Sequence, residues 1–475
     1  MIKQFFSPLN WIQTPRFFWV VYAVFSVVWM IHPVYELVFL YHPTFDTGMH
    51  IQPIVQAVVN QQYWNTLIDA HPFSNHFRPG LFVFAPLIAA FPKVPPTLWA
   101  PLAKSIAFLA CPLILLALSR RVLVNHPQWV YVIPTFWLFS DILMGALGKA
   151  NQATGLMLPF ILLGFLWAYD GYFWRLFPLV LGISLFKENM PLVGVCLAMF
   201  MGLHTGQSWR RASLLGAFSV ALGFVIVFWI MPQFGASEAS SQIAPFSNLG
   251  LKAIMGLKLM LATACLPLLY PKTLLFFLPS LAVYLFINFI DKPSVFWLLE
   301  HYHDYTMTIL MVCALFGINQ YLNNRSWFKR SLPRFASVLV VIYIGVGLTT
   351  VLKEFYLVSV NLEWLNQPLI QRYRTNKALR AVVSQIPKHY TIVTTENCSY
   401  PFLAYPKLRQ FSAVHTISTN SPAIVVMPSV QHLSGESVVN YQRVQAYIQD
   451  NLGTKWHVHP LTGPNLTLYA NYPSD

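Results

Sequence analysis

The chain has only 16 Asp and Glu among 475 residues, so the place of each carboxylate carries information. Asp46 lies in LYHPTFDTGMHIQPIVQAVVN, residues 40–60, just beyond a long apolar run and before an amphipathic pattern. It is either a solvated loop carboxylate or helix N-cap, or a proton acceptor at a membrane surface. Glu36, just inside the same apolar run, is either a headgroup-level side chain or part of a site. The stretch DAHPFSNHFRPG, residues 69–80, offers Asp69, His71, His76 and Arg78. Histidine and arginine in that setting suit a phosphate or diphosphate, and an ordinary polar loop is the plainer alternative. Neither a His-x3-His spacing nor a cysteine partner accompanies them, so the pattern does not point to zinc.

Two further clusters have the same character. In SLFKENMPLVG, residues 184–194, Lys187 and Glu188 interrupt a long apolar stretch. Such a pair is costly unless it lines a wet cavity or is satisfied internally. In LLEHYHDY, residues 298–305, Glu300, His301, His303 and Asp304 read as interfacial polar residues at an outer membrane edge, with metal binding the sharper alternative.

The elements that must position these groups follow from composition. Hydrophobic residues make up 56%, charged residues 10%, and mean hydropathy is +0.53. A soluble domain carries about 25% charged residues, so this composition describes a polytopic membrane protein. The net charge of +14 sits largely in LSRRVL (118–123), SWRRAS (208–213) and NNRSWFKRSLPR (323–334), between apolar runs. Cytoplasmic loops look this way under the positive-inside rule. No nucleic-acid motif accompanies the charge, which excludes DNA or RNA as the expected partner. Cys111, Cys196, Cys265 and Cys313 lie in apolar runs and only Cys398 lies outside them, so neither a disulfide framework nor a metal pair is expected.

About twenty apolar residues cross a bilayer as a helix. Candidate spans cover 17–40, 96–118, 129–147, 153–169, 212–234, 252–270, 272–290, 304–322 and 335–356, with shorter ones at 174–186 and 190–203. The first is too long for a signal-peptide core and reads as a retained helix. With about eleven spans and an inside N-terminus, every arginine pair falls in the cytoplasm. Asp46, Lys187, Glu188, Glu238 and the loop 291–304 then fall outside, on one common side. The chain divides into a membrane domain, 1–356, with a large outer loop at 41–95, and an extracytoplasmic α/β domain, 357–475. In the loop, Ile51, Ile54, Val55 and Val58 share one helical face and Gln52, Gln56 and Asn60 another, the pattern of an interfacial helix. PGLFVFAPLIAAF, residues 79–91, is too short to cross and reads as a juxtamembrane or re-entrant element.

FDTGMHIQ, HFRPGLFVFAPLIAAFP, FKENMPLVG, LPLLYPKTLLFFLPSL and HYHDY, in this order, resemble a bacterial family of uncharacterised polytopic membrane proteins placed among GT-C-type glycosyltransferases. GKANQATGLMLPFILLGF followed by GISLFKENMP also resembles polyprenol-phosphate mannosyltransferases. The resemblance covers about residues 17–325. It implies a GT-C-like helical fold in the bacterial inner membrane and a polyprenyl-phosphate-linked sugar as donor. It further implies Asp46 as catalytic base or metal-associated carboxylate, leaving a divalent metal open. Transfer from a lipid phosphate needs a base for the acceptor hydroxyl and cations for the departing phosphate. Asp46 suits the first role and the regions of Arg78 and Lys187 the second, with His76, Arg78, Lys187 and Glu188 as the expected donor-phosphate or cavity residues. Glu36, Glu300, His301 and Asp304 form a possible additional site. The elements at 50–64 and 79–91 suit a groove for the lipid. A lipid or glycan transporter and a non-catalytic envelope scaffold are the competing expectations; membrane lipids are partners in each.

The orientation has a direct test. A Ser434→Cys variant should react with a membrane-impermeant thiol reagent in intact spheroplasts. No labelling would mean that the span count is wrong by an odd number.

Overall fold

The computed structural model describes residues 14–39, 45–67, 70–74, 76–140, 142–143, 153–235, 249–263, 265–286, 303–323, 369–394, 402–410, 422–428, 436–451, 456–459 and 466–471. The architecture is mostly helical, with one small sheet near the C-terminus. Contacts divide the chain into two compact units. The first comprises Met1–Met30, Phe73–Gly80 and Ala103–Leu352; the second comprises Ile31–Pro72, Leu81–Leu102 and Lys353–Asp475.

The helices are α1 (Pro15–Phe39), α2 (Phe45–Val59), α3 (Ala85–Ala90), α4 (Trp99–Val122), α5 (Val132–Leu138), α6 (Thr154–Tyr169), α7 (Leu176–Ser184), α8 (Pro191–His204), α9 (Trp209–Phe224), α10 (Leu249–Ala262), α11 (Lys272–Phe286) and α12 (Asp304–Asn323). Among the described residues, four helical stretches are long and apolar enough to cross a membrane: Pro15–Val34, Pro96–Val122, Trp209–Phe234 and Asp304–Asn323. Shorter apolar helices cover Pro79–Ala90, Thr154–Tyr169, Phe173–Ser184, Pro191–His204 and Lys272–Leu281. The expectation of about eleven full spans is therefore met only in its coarser form, a membrane protein with several apolar helices. The expected span at 129–147 begins as the short α5, and that at 252–270 breaks after α10 into a 3-10 turn, Leu266–Leu269. The span at 335–356 lies outside the described residues.

In the first unit, α6 packs against α7, α8 and α12, while α8 packs against α9 and α11. Helix α12 is buried continuously from Asp304 to Ile318. Phe200 meets Phe165, Phe276 and Phe316 edge-on, with centroids 5.1–5.3 Å apart. Each such pair contributes about 0.5–1.5 kcal/mol beyond its burial. Beyond α9 the helix widens into a π-turn, Val225–Ile230, and then tightens into a 3-10 turn, Met231–Phe234.

The second unit holds α2, α3 and the C-terminal sheet. Helices α13 (Leu369–Val383) and α14 (Glu436–Asp450) accompany strands β1 (Thr391–Thr394), β2 (Leu408–Gln410), β3 (Ala423–Pro428), β4 (His457–Val458) and β5 (Leu466–Ala470). The strand order is β2-β1-β3-β5-β4, with β1 parallel to both neighbours and β5 antiparallel to β3 and β4. Val393, Val425, Met427, Ile448 and Trp456 form its core. The expected α/β character holds here, and the short β2 is an addition.

The polar stripe of α2 corrects one expectation. Gln52 and Gln56 are fully buried rather than turned to water. Gln56 Nε2 donates to the carbonyls of Leu403 and Tyr405 at 2.8 and 2.7 Å, and Asn60 Nδ2 donates to Ala404 at 2.9 Å. Gln52 Nε2 donates to Thr66 Oγ1, and the Thr66 amide donates back to Gln52 Oε1 at 3.0 Å. The stripe therefore satisfies backbone of the C-terminal segment, where an unmet buried carbonyl costs about 1–3 kcal/mol.

One glycine has no room for a side chain. A Cβ on Gly317, in α12, would lie 2.2 Å from the Leu266 carbonyl oxygen, a backbone atom that cannot swing away. Gly317→Ala should cost about 1–3 kcal/mol, as overpacking of a tight core does, and show as a lower melting temperature in detergent. An unchanged melt would mean that α12 and the Leu266–Leu269 turn do not approach this closely.

Candidate functional site

Two of the chemistry-bearing motifs meet in the first unit although they stand 112 positions apart. The Gly80 amide donates to the Leu185 carbonyl at 2.7 Å, pinning HFRPG to LFKEN. Gly80 is required there, because a Cβ would fall 2.5 Å from the Phe186 ring. Glu188 closes the clasp. Its Oε1 lies 2.8 Å from His76 Nδ1, and its Oε2 accepts from the Phe77 amide at 3.2 Å. Phe77 packs against Ile226 and Met231 of the π and 3-10 turns, so His76 and Arg78 flank an apolar anchor.

The His76 and Glu188 side chains keep 32% and 20% exposure. Burial and the positive charge of Arg78, aided by Lys187, outweigh the pull of Glu188 and lower His76 to about 4. Burial alone would raise Glu188, but His76, Lys187 and Arg78 together hold its carboxyl well below the usual carboxylate range. At neutral pH the pair is thus a carboxylate and a neutral imidazole. A carboxylate only accepts, so the ring proton belongs on Nδ1 and Nε2 carries a lone pair. Among the described residues no hydrogen-bond partner meets Nε2.

A second polar centre adjoins the clasp. Asp304 is fully buried, which corrects its reading as an interfacial residue at the membrane edge. Its Oδ2 accepts from Thr154 Oγ1 at 2.7 Å and its Oδ1 from the Tyr305 amide at 2.6 Å. The charges of Lys187 and Lys104 both act on this carboxylate. Lys104 is 4% exposed, and its stem lies across Gly155, where a Cβ would meet it at 2.8 Å. Arg78 and Lys187 are each 5% exposed. Helices α6 and α12 begin at this centre, at Thr154 and Asp304. Their amide ends favour negative charge in the same place. Three buried cations, two carboxylates and a neutral imidazole can together hold an oxyanion and accept a hydrogen bond from a neighbouring hydroxyl.

Asp46 lies in the first turn of α2 and Glu36 in α1; the side chains of both lie outside what is described. Asp69, Glu300 and His301 lie outside the described residues. His71 belongs to the second unit, its ring 5.4 Å from that of Tyr63, while His303 is buried in the first. Among the described residues, no three His, Cys, Asp or Glu side chains gather as a metal site. Sequence reasoning missed Lys104 and Thr154. Lys104 left a signal, being the single charged residue inside the span at 96–118; Thr154 left none.

The chain is similar over residues 36–261 to a family described as predicted membrane protein (DUF2079). No curated protein matches it. The matched region contains Asp46, His76, Arg78, Lys104, Lys187 and Glu188.

The clasp makes a pH prediction. Both groups have folded-state values below their ordinary ones, so folding favours their deprotonated forms. Their contribution is present above pH 6.5 and declines as pH falls from 6.5 toward 4, first through His76, and below 4.5 through Glu188. Melting temperature in detergent should drop over that window, and His76→Asn should flatten its upper part. An equally steep loss in His76→Asn would place the sensitivity elsewhere.

Proposed function

We propose that the chain is a GT-C-type membrane glycosyltransferase that moves a sugar from a polyprenyl-phosphate donor to a lipid, glycan or protein acceptor of the cell envelope. The observation that carries this reading is the gathering of buried Arg78 and Lys187 about the Glu188–His76 clasp, with buried Lys104 acting beside Lys187 on Asp304. Such a set of buried charges among apolar helices is costly and marks a candidate site, and a lipid phosphate arriving within the bilayer is a ligand that would use it. An apolar groove of about 300 Å³, lined by Val225, Trp229, Ile230, Gln233 and Phe234, lies on the π-turn. Phe234 touches Phe73, which touches Phe77, so apolar surface adjoins the charged clasp as a prenyl chain would need.

In the proposed reaction a carboxylate base takes the proton of the acceptor hydroxyl, whose oxygen bonds to the anomeric carbon of the donor sugar. The bond from that carbon to the phosphate oxygen breaks, and the electron pair leaves with polyprenyl phosphate. Arg78 and Lys187 stabilise the charge left on the phosphate. The reaction belongs on the outer face of the bacterial inner membrane, with the C-terminal unit outside. Asp304, buried in a helix long enough to span, favours a second reading, transport of a lipid or glycan along a charged path.

Purified protein should consume a polyprenyl-phosphate sugar in detergent, where transport leaves no product; absence of turnover with an intact fold would favour the second reading. Envelopes of cells lacking the gene should lack one glycan or glycolipid that the wild-type chain restores. Asp46→Asn should keep stability within about 0.5 kcal/mol while turnover falls at least about a hundredfold. Lys187→Ala should lower turnover by about 10²–10³-fold if Lys187 faces the departing phosphate. A large loss of thermal stability with unchanged turnover of the surviving protein would make it a structural charge instead.

A further inference from the structure

A different end of the first unit carries its own chemistry, independent of the proposed transfer. The C-terminal turn of α4, the α6–α7 connection and the start of α9 are tied together by side chains. Arg121 Nε meets Asp170 Oδ1 at 2.7 Å, Gln207 Nε2 donates to the Ala168 carbonyl at 2.8 Å, and the Arg211 guanidinium lies 5.8 Å from the Phe173 ring centre. His126 and Asn323, 3.2 Å apart, bring the end of α12 to the same place. The segments 118–130, 169–175 and 204–211 contain Arg120, Arg121, Arg175, Arg210 and Arg211 against one acid, Asp170. Arg121 takes that acid. Among the described residues the other four meet no carboxylate.

Two of these arginines are held in place by rings. The Arg175 guanidinium lies 4.3 Å over the Tyr172 ring and 5.7 Å from that of Trp167, and Arg211 lies over Phe173, which is itself buried. A guanidinium seated over a ring keeps its N–H edge for an oxyanion and loses less freedom on binding than a swinging lysine. Around them Trp174, Trp209 and Tyr172 are 74%, 57% and 47% exposed. Exposed indoles and phenols beside arginines are the composition of a membrane–water interface, where the ring enters the headgroup layer. Water alone would not favour this much bare aromatic surface.

We propose that this end of the first unit binds anionic phospholipid, with Arg175 and Arg211 gripping the phosphodiester and Trp174 and Trp209 lying among the acyl-chain roots. The partner is a lipid rather than a nucleic acid or an acidic protein, because the indoles need an apolar layer beside the phosphate.

The test uses the full chain in nanodiscs of phosphatidylcholine mixed equally with phosphatidylglycerol, followed by native mass spectrometry of the released protein. Phosphatidylglycerol should remain bound about tenfold more often than phosphatidylcholine, as expected for two interfacial arginines. The double variant Arg175→Gln/Arg211→Gln should fall to near parity. Arg175→Lys/Arg211→Lys, which keeps the charge and loses the fork, should lie between them. Melting in phosphatidylglycerol discs should exceed that in pure phosphatidylcholine for the wild type and not for the glutamine variant. Equal retention of both lipids by the wild type would overturn the proposal. So would unchanged selectivity in the glutamine variant, or loss of it in a control that replaces Arg120 and Arg210 alone. If the glutamine variant does not fold, the lysine variant and the wild-type melting difference decide.

Discussion

The polar end of the first unit depends on the Glu188 carboxylate. One side chain accepts from the His76 ring and the Phe77 amide, and thereby joins two segments that nothing in the local sequence brings together. A hydrogen bond to a charged group contributes about 1.5–3 kcal/mol, and losing it leaves the partner unmet. The consequence runs both ways. Glu188 is kept ionised by the cations around it, and it fixes the tautomer of His76, which leaves Nε2 as the acceptor.

The same economy governs the second centre. Asp304 sits at the start of α12, where its own helix end and the Thr154 hydroxyl satisfy it, and Lys104 and Lys187 reach it from other elements. Lys187 therefore bears on both carboxylates, since its charge acts on Glu188 as well. A lysine that serves two acids from a turn between short helices couples the clasp to α12. The apolar packing around it is dense, so displacement of one group has to be taken up by the others.

Hydropathy and period made the membrane class, most of the helices and the C-terminal strands legible, because each reports burial over many residues at once. They gave no account of partners. The Gln52, Gln56 and Asn60 stripe has the same period whether it faces water or backbone carbonyls, and here it faces carbonyls. Asp304 read as a rim residue for a similar reason: an acid at the start of an apolar helix looks alike at a surface and in a bundle. The joining of His76 to Glu188 is hidden by sequence distance, since the two stand 112 positions apart. Lys104 is legible as a lone charge in a span, but a single lysine names no partner.

The arrangement of HFRPG shows how few residues such an end needs. His76 and Arg78 serve the charged centre, while Phe77 between them enters an apolar cluster with Ile226 and Met231. The glycine two places after Arg78 admits the Phe186 ring, and its amide fixes the strand of contacts to Leu185. The π-turn that receives Phe77 is a widened helical segment, a geometry found mostly where a helix has a task besides packing. Its widening places Val225 and Ile230 on the groove and Ile226 beneath Phe77. Charged and apolar contacts are thus made by adjacent residues of one short motif. On the proposed reading the charged half would meet a phosphate and the apolar half the chain that carries it, a pairing for which a site for a soluble ion has no use.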